Sequence, residues 1–200
     1  QMEALAHSGE IEAVSAERFE AIWRREEPYG PRVPVLVTFD DGYRDNLSTA
    51  SPIMRRLGIP AVVFVATGVL HSEPLWYDLL EHALDTHPRE TLVALTDVLR
   101  RARSGVPAED PMRCWVELIK GADTPATTDV RSRLRQICGA WLGADRYLSS
   151  ADLGAWMDAG HAVGAHTRLH PCLSRVDADE ALLEMASSKK ELEHAVGKPV

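Results

Sequence analysis

Two short clusters hold the side chains best suited to chemistry: the adjacent carboxylates Asp40 and Asp41, and His166 with His170 four residues on. Imidazoles four apart in one helical turn share a face and can chelate an ion, and Pro171 predicts that such a turn stops at His170. A carboxylate can supply a third ligand. Neighbouring residues at a strand end project in different directions, so one carboxylate of the pair can bind metal while the other faces a water. Two imidazoles and one carboxylate leave coordination positions open, as a catalytic site must. The N and O donors suit one divalent metal, zinc first, with cobalt, nickel or iron as alternatives.

Each cluster alone has a plainer explanation. Asp-Asp-Gly also ends strands as a turn, and a His-x-x-x-His spacing arises by chance in a chain with 8 histidines. Their conjunction at two strand ends gives them weight. Other motifs fail on particular residues. A zinc-protease helix needs Glu after its first His, where Thr167 stands. A calcium loop begun at Asp41 would need Glu where Pro52 stands. An aspartyl-nucleophile phosphatase wants carboxylates two apart, whereas Asp40 and Asp41 are adjacent.

The positioning elements follow from pattern. Val35 to Phe39 is a short, β-branched apolar run, the signature of a parallel strand covered on both faces, and Ala61 to Val65 is a second. Between them Ser51 is placed to cap a helix with Pro52 at its first position and Gly58 at its end. Strand, helix and strand make a βαβ unit, hence an α/β fold with a parallel sheet or barrel. His161 to Ala165 is a third strand, leading into His166. Both clusters therefore lie at C-terminal strand ends, where α/β folds build sites.

Gln1 to Arg25 has helical texture without a clear cap, and Glu26 to Pro34 is a loop. Leu75 to Tyr147 is helical and too long for a simple connection, so it predicts a helical insertion carrying Trp76, Tyr77, Trp115 and Trp141. These aromatic residues are more simply packing groups of the insertion than ligand contacts. Ser149 and Asp152 are spaced as a capping box before a helix that Gly160 closes. Asp177 to Val196 is a long amphipathic helix ended by Gly197, and Lys198 to Val200 suggest the approach to another strand.

A chain of 200 residues with 45% hydrophobic and 26% charged residues is ordinary for one globular domain. With 22 Lys and Arg against 30 Asp and Glu, the net charge of -8 argues against nucleic acid or anionic lipid as partner. No apolar run approaches the roughly 20 residues of a membrane span. The odd number of scattered cysteines and the lack of signal-peptide texture favour reduced thiols and the cytoplasm.

Thr38-Phe39-Asp40-Asp41-Gly42-Tyr43 and Gly164-Ala165-His166-Thr167-Arg168-Leu169-His170-Pro171 resemble the first two signature motifs of the polysaccharide deacetylases, the carbohydrate esterase family 4 enzymes that share the chitooligosaccharide deacetylase (NodB) homology domain. The resemblance extends through Asn46 to Gly68 and Trp156 to His161. It implies a distorted (β/α) barrel, and the segment reads as one partial domain over 1–200, cropped at both ends, with an insertion over about 75–147. It also implies a metal-dependent N-deacetylase acting on an amino sugar of a carbohydrate substrate: Asp40 as the general base, Asp41, His166 and His170 as the metal ligands, and Thr167 bracing the loop. Tyr43 and Trp76 are candidates for substrate contact or loop support. The family's later motifs, an arginine motif, an aspartate with a nearby tryptophan and a histidine serving as acid, do not follow His170. His161 and His194 are protonating groups by type only. A non-catalytic metal- or carbohydrate-binding relative, or a deformylase of lipid-linked amino sugars, is the alternative.

Overall fold

The computed structural model describes residues 1–28, 30–102, 116, 119, 124–141, 143 and 145–200. Tyr29 and Trp115 lie outside the described residues. The chain divides into two compact units, one made of Gln1–His71, Ala144–Arg168 and Met185–Val200, the other of Ser72–Gly143 and Leu169–Glu184.

The first unit opens with α1 (Met2–Ala6), β1 (Ile11–Ala13) and α2 (Ala16–Trp23). Here the expectation of unbroken helical texture without a cap gives way. Ser15 caps α2 by accepting from the Arg18 amide at 3.3 Å. Ile11–Ala13 pairs in parallel with β2 (Val33–Val35), a partner twenty residues away that no local pattern reveals. The single strand expected over Val35 to Phe39 is two: β2, and β3 (Val37–Phe39), with Leu36 between. Pro34 lacks an amide hydrogen and is tolerated because β2 is ladder-bonded on one side only, in a two-stranded sheet.

β3 joins β4 (Ala61–Val65) and β5 (Ala162–Ala165) in a parallel sheet of order β3-β4-β5, registered Val37 to Ala61 and Val62 to Ala162. The fold is thus α/β with parallel strands, as expected, and no ladder among the described residues closes into a barrel. Central β4 is almost wholly buried, which is why it reads as an unbroken apolar run. Opposite Phe64 stands Gly164, where a Cβ would lie 2.6 Å from the Phe64 ring, so the aromatic group takes the space of the missing side chain. Trp156 is fully buried, meets Phe39 edge-on at 5.9 Å and donates its indole N–H to the Ala162 carbonyl at 2.8 Å.

Around the sheet lie α3 (Ser51–Leu57), α7 (Ser150–Asp158) and α8 (Ala178–Val196), the last shared by the two units. Ser51 does not cap α3. A π-helical turn over Asn46–Ala50 runs straight into that helix, which leaves Ser51 inside it, buried, with its hydroxyl 3.1 Å from His161 Nε2. Gly58 ends α3 in the left-handed region as predicted, at φ 65°. The Ser149 capping box is realised with Asp152, and Asp177 accepts from the Glu180 amide at the start of α8. Lys198 to Val200 form no strand; the Val200 amide donates to Glu193.

The second unit carries α4 (Trp76–Thr86), α5 (Pro88–Ala102) and α6 (Thr124–Cys138). Leu79, Leu80, Ala83, Leu95, Val130 and Leu134 form its core, each large side chain stabilising by roughly 1.5–3 kcal/mol on burial. Trp76 is 6% exposed in that cluster, and Trp141 packs against it while stacking on His82 at 4.3 Å. Both tryptophans thus take part in the helical unit's own packing.

Candidate metal centre

Asp40 follows β3 directly and is exposed, its carbonyl accepting from the Gly42 amide at 2.9 Å. That tight turn forces Asp41 to φ 73° and Gly42 to φ 88°. Glycine is needed at 42 twice over, for that φ and because a Cβ would stand 3.0 Å from Val65 Cγ1. The turn is bolted on its far side: Gly42 O accepts from the Leu148 amide at 2.9 Å, Arg44 N donates to Arg146 O at 2.7 Å, and the Tyr43 and Tyr147 rings stack at 5.6 Å.

At the end of β5 the His166 amide donates to the Val65 carbonyl at 2.8 Å, prolonging the ladder by one residue. This brings His166 Nε2 to 3.8 Å from Asp41 Oδ1. The expected helical turn from His166 to His170 is absent. The segment is an irregular loop, with Thr167 at φ 62° and His170 at φ 55°. The ladder holds His166 extended, and left-handed residues then fold the chain back, so the two rings approach by a loop rather than by helical spacing. One ligand atom each from Asp41, His166 and His170 falls within 4.8 Å of the others, the group of this kind found among the described residues. Left-handed φ in non-glycine residues costs of order 1–3 kcal/mol each and persists only where surroundings impose it.

Those surroundings are specific. Thr67 N donates to Thr167 O at 3.1 Å and Gly68 N to Arg168 O at 2.8 Å. On α8, Glu191 accepts from Arg168 Nε at 2.9 Å and from the Thr67 hydroxyl at 2.6 Å. Two turns earlier on the same helix, Glu184 accepts the Leu169 amide at 2.8 Å, while Arg131 of α6 donates to the Leu169 carbonyl. Burial pushes the Arg131 guanidinium pKa down, against the pull of Glu184. Thr167 takes part through its carbonyl, which accepts from Thr67. Glu184, Glu191 and Arg131 escaped the sequence reading. Two glutamates seven apart on the helix after the histidines were the available signal.

Tyr77 meets the His170 ring edge-on at 5.7 Å. His161 precedes β5 whereas His166 follows it, which separates the two by about 16 Å at 3.3 Å per residue. It is 6% exposed, packs on Trp156 at 4.3 Å, and burial lowers its pKa. His161 is therefore a packing residue at the far end of the sheet, and His194 is exposed on α8.

Residues 29–104 match the family model described as polysaccharide deacetylase, a stretch that takes in Asp40 and Asp41. That match covers less than half of the chain. Its fold is similar to that of the Streptococcus pyogenes deacetylase PplD in complex with acetate, at 16% identity and TM-score 0.59, over 100% of this chain and 56% of that one. It is also similar to the BpsB deacetylase domain from Bordetella bronchiseptica, at 15% identity and TM-score 0.50, over 95% of this chain and 61% of that one. At such identities the likeness is one of fold, and this chain spans little more than half of each of those chains. No curated protein matches it.

Proposed function

We propose that this protein is a metal-dependent hydrolase that removes N-acetyl groups from amino sugars of a polysaccharide or oligosaccharide and releases acetate. The observation that carries the reading is the gathering of Asp41, His166 and His170 beyond the ends of β3 and β5, with Asp40 next to them. The family match over Asp40 and Asp41 supports the same class. Two imidazole nitrogens and a carboxylate oxygen fit one divalent ion, zinc being the best match, with positions left for water and substrate.

Asp41, His166 and His170 would hold that ion. When bound, it supplies Lewis acidity, lowering the pKa of water and polarising an acyl oxygen. The chain does the rest. Asp40, exposed and free to project away from Asp41, takes the proton from the attacking water. The ladder bond of His166 and the bonds to Thr167 and Arg168 fix the ligand loop before substrate arrives, so the bonding geometry needs no reorganisation during reaction. Metal analysis of the purified protein, coupled to an acetate-release screen on chitooligosaccharides, peptidoglycan fragments and bacterial exopolysaccharide, tests the proposal. Acetate release that is abolished by chelation and restored by zinc is expected. Absence of chelation-sensitive acetate release from all three substrate classes overturns it.

A further inference from the structure

The second unit contains a partly enclosed cavity of about 310 Å³ whose wall includes His170. Its size is at the lower end for small-molecule sites, which run from roughly 300 to 1,000 Å³. Trp76, Ile119 and Pro171 give it an apolar surface. Thr128, Arg131, Arg175, Glu180 and Glu184 ring that surface with donors and acceptors. The charges balance, two guanidinium groups against two carboxylates, so neither an anion nor a cation is favoured over a neutral guest. Two of the four already have work: Arg131 and Glu184 hold the Leu169 backbone from either side. An apolar floor with a neutral polar rim suits a ligand having one C–H face and a circumference of hydroxyl and amide groups.

We propose that this cavity is a subsite for one neutral, N-acetylated sugar residue of the substrate chain, formed by the helical insertion together with residues 169–184. It rests on the reading of the protein as an amino-sugar deacetylase, because His170 lines the cavity and also belongs to the ligand group. The apolar floor takes the ring face. Arg175, Thr128 and Glu180 at the rim take the hydroxyls and the acetamido group. Substrate recognition would then depend on the insertion and not only on the strand ends.

The test is binding of tri-N-acetylchitotriose, followed by calorimetry on the full chain with its metal removed, so that turnover does not enter. Two variants probe the rim: Thr128→Trp, which fills the cavity from an exposed position on α6, and Arg175→Ala, which removes a donor on an exposed turn. Each is expected to weaken trisaccharide binding about tenfold or more, with far-ultraviolet circular dichroism unchanged. Wild-type affinity in both folded variants, or no trisaccharide binding by the wild type, overturns the subsite. If Thr128→Trp fails to fold, Arg175→Ala decides alone. Acetate release from the wild type is measured separately. Saccharide binding that the variants lose, in a protein that releases no acetate, sinks the deacetylase reading and keeps the sugar site. Acetate release with unaltered binding in the variants does the reverse.

Discussion

The strand-end loops and the helical insertion are built on different physical terms. The loops, residues 40–42 and 166–170, contain Asp41, Thr167 and His170 in the left-handed region, conformations that side-chain-bearing residues adopt only under constraint. In α4 to α6 no described non-glycine residue has positive φ, and the apolar side chains simply meet in a common core. In the loops, stability is given up locally and recovered through ladder bonds and the Glu191 clamp. In the insertion, each large buried side chain contributes directly. Strained loops held by a rigid sheet are where a ligand set can be fixed; relaxed helices are where a binding wall can vary.

The comparison breaks most sharply at the ligands. His166→Ala and His170→Ala should each remove nearly all bound metal, a loss exceeding the 10- to 100-fold that follows removal of an outer partner. Metal content after gel filtration checks this, and full occupancy in both variants would dissolve the distinction between the loops and the rest. Asp40→Asn separates the two carboxylates: metal is retained, and acetate release falls by about 10² to 10⁴. Asp41→Asn should lose metal affinity first. The reverse pattern would exchange their roles.

On the insertion side, Leu134 is completely buried in α6. Truncating it to Ala should cost about 2–5 kcal/mol in urea unfolding, whereas Leu183→Ala on α8, at 66% exposed, should stay within about 0.5 kcal/mol. Equal costs would mean that the helical core does not hold that unit. A smaller effect is expected at the clamp. Glu191→Gln removes the charge and leaves one acceptor oxygen where Arg168 and Thr67 each donate to a separate carboxylate oxygen, and metal affinity should fall about tenfold, the low end for an outer-shell partner. An unchanged affinity would show that the loop holds its strained shape without the clamp.

The two regions also differ in how far sequence exposes them. Asp40, Asp41, His166 and His170 stand out as candidates because strand-terminating polar residues after apolar β-branched runs are a local pattern, and the fold gathers three of them, Asp41, His166 and His170. β4, the Ser149 cap and the Gly58 end were legible for the same reason. β1 was not, since three residues between helices become a strand only by pairing with Val33–Val35. Ser51 has the right neighbours for a cap, yet a π-helical turn ahead of it makes the helix continuous, and its hydroxyl goes to His161. The route by which His170 returns towards His166 depends on two left-handed residues that spacing arithmetic assumes away. Glu191 and Arg131 matter through contacts over long sequence separation, and only the folded chain reveals those.

A change of slope with pH rather than a loss of affinity is expected at His161, at the end of the sheet opposite the ligand loops. Its ring is buried against Trp156, with Nε2 on the Ser51 hydroxyl, and burial holds its pKa below the ordinary value. The unfolded chain therefore takes up the proton first as pH falls. Between the unfolded pKa of about 6.5 and the lower folded one, the unfolded state binds more protons, so stability declines with falling pH in that window and is flat above it. His161→Phe keeps a ring against Trp156 but cannot titrate. It leaves the buried Ser51 hydroxyl without its ring partner, so stability at pH 8 should drop by about 1–3 kcal/mol, while the decline between pH 7 and pH 5 becomes shallower than in the wild type. Urea unfolding at pH 8, 7, 6 and 5 for both proteins measures the two slopes. Identical slopes would mean that His161 titrates as an exposed histidine does, and that this end of the sheet is open to water in a way its burial contradicts.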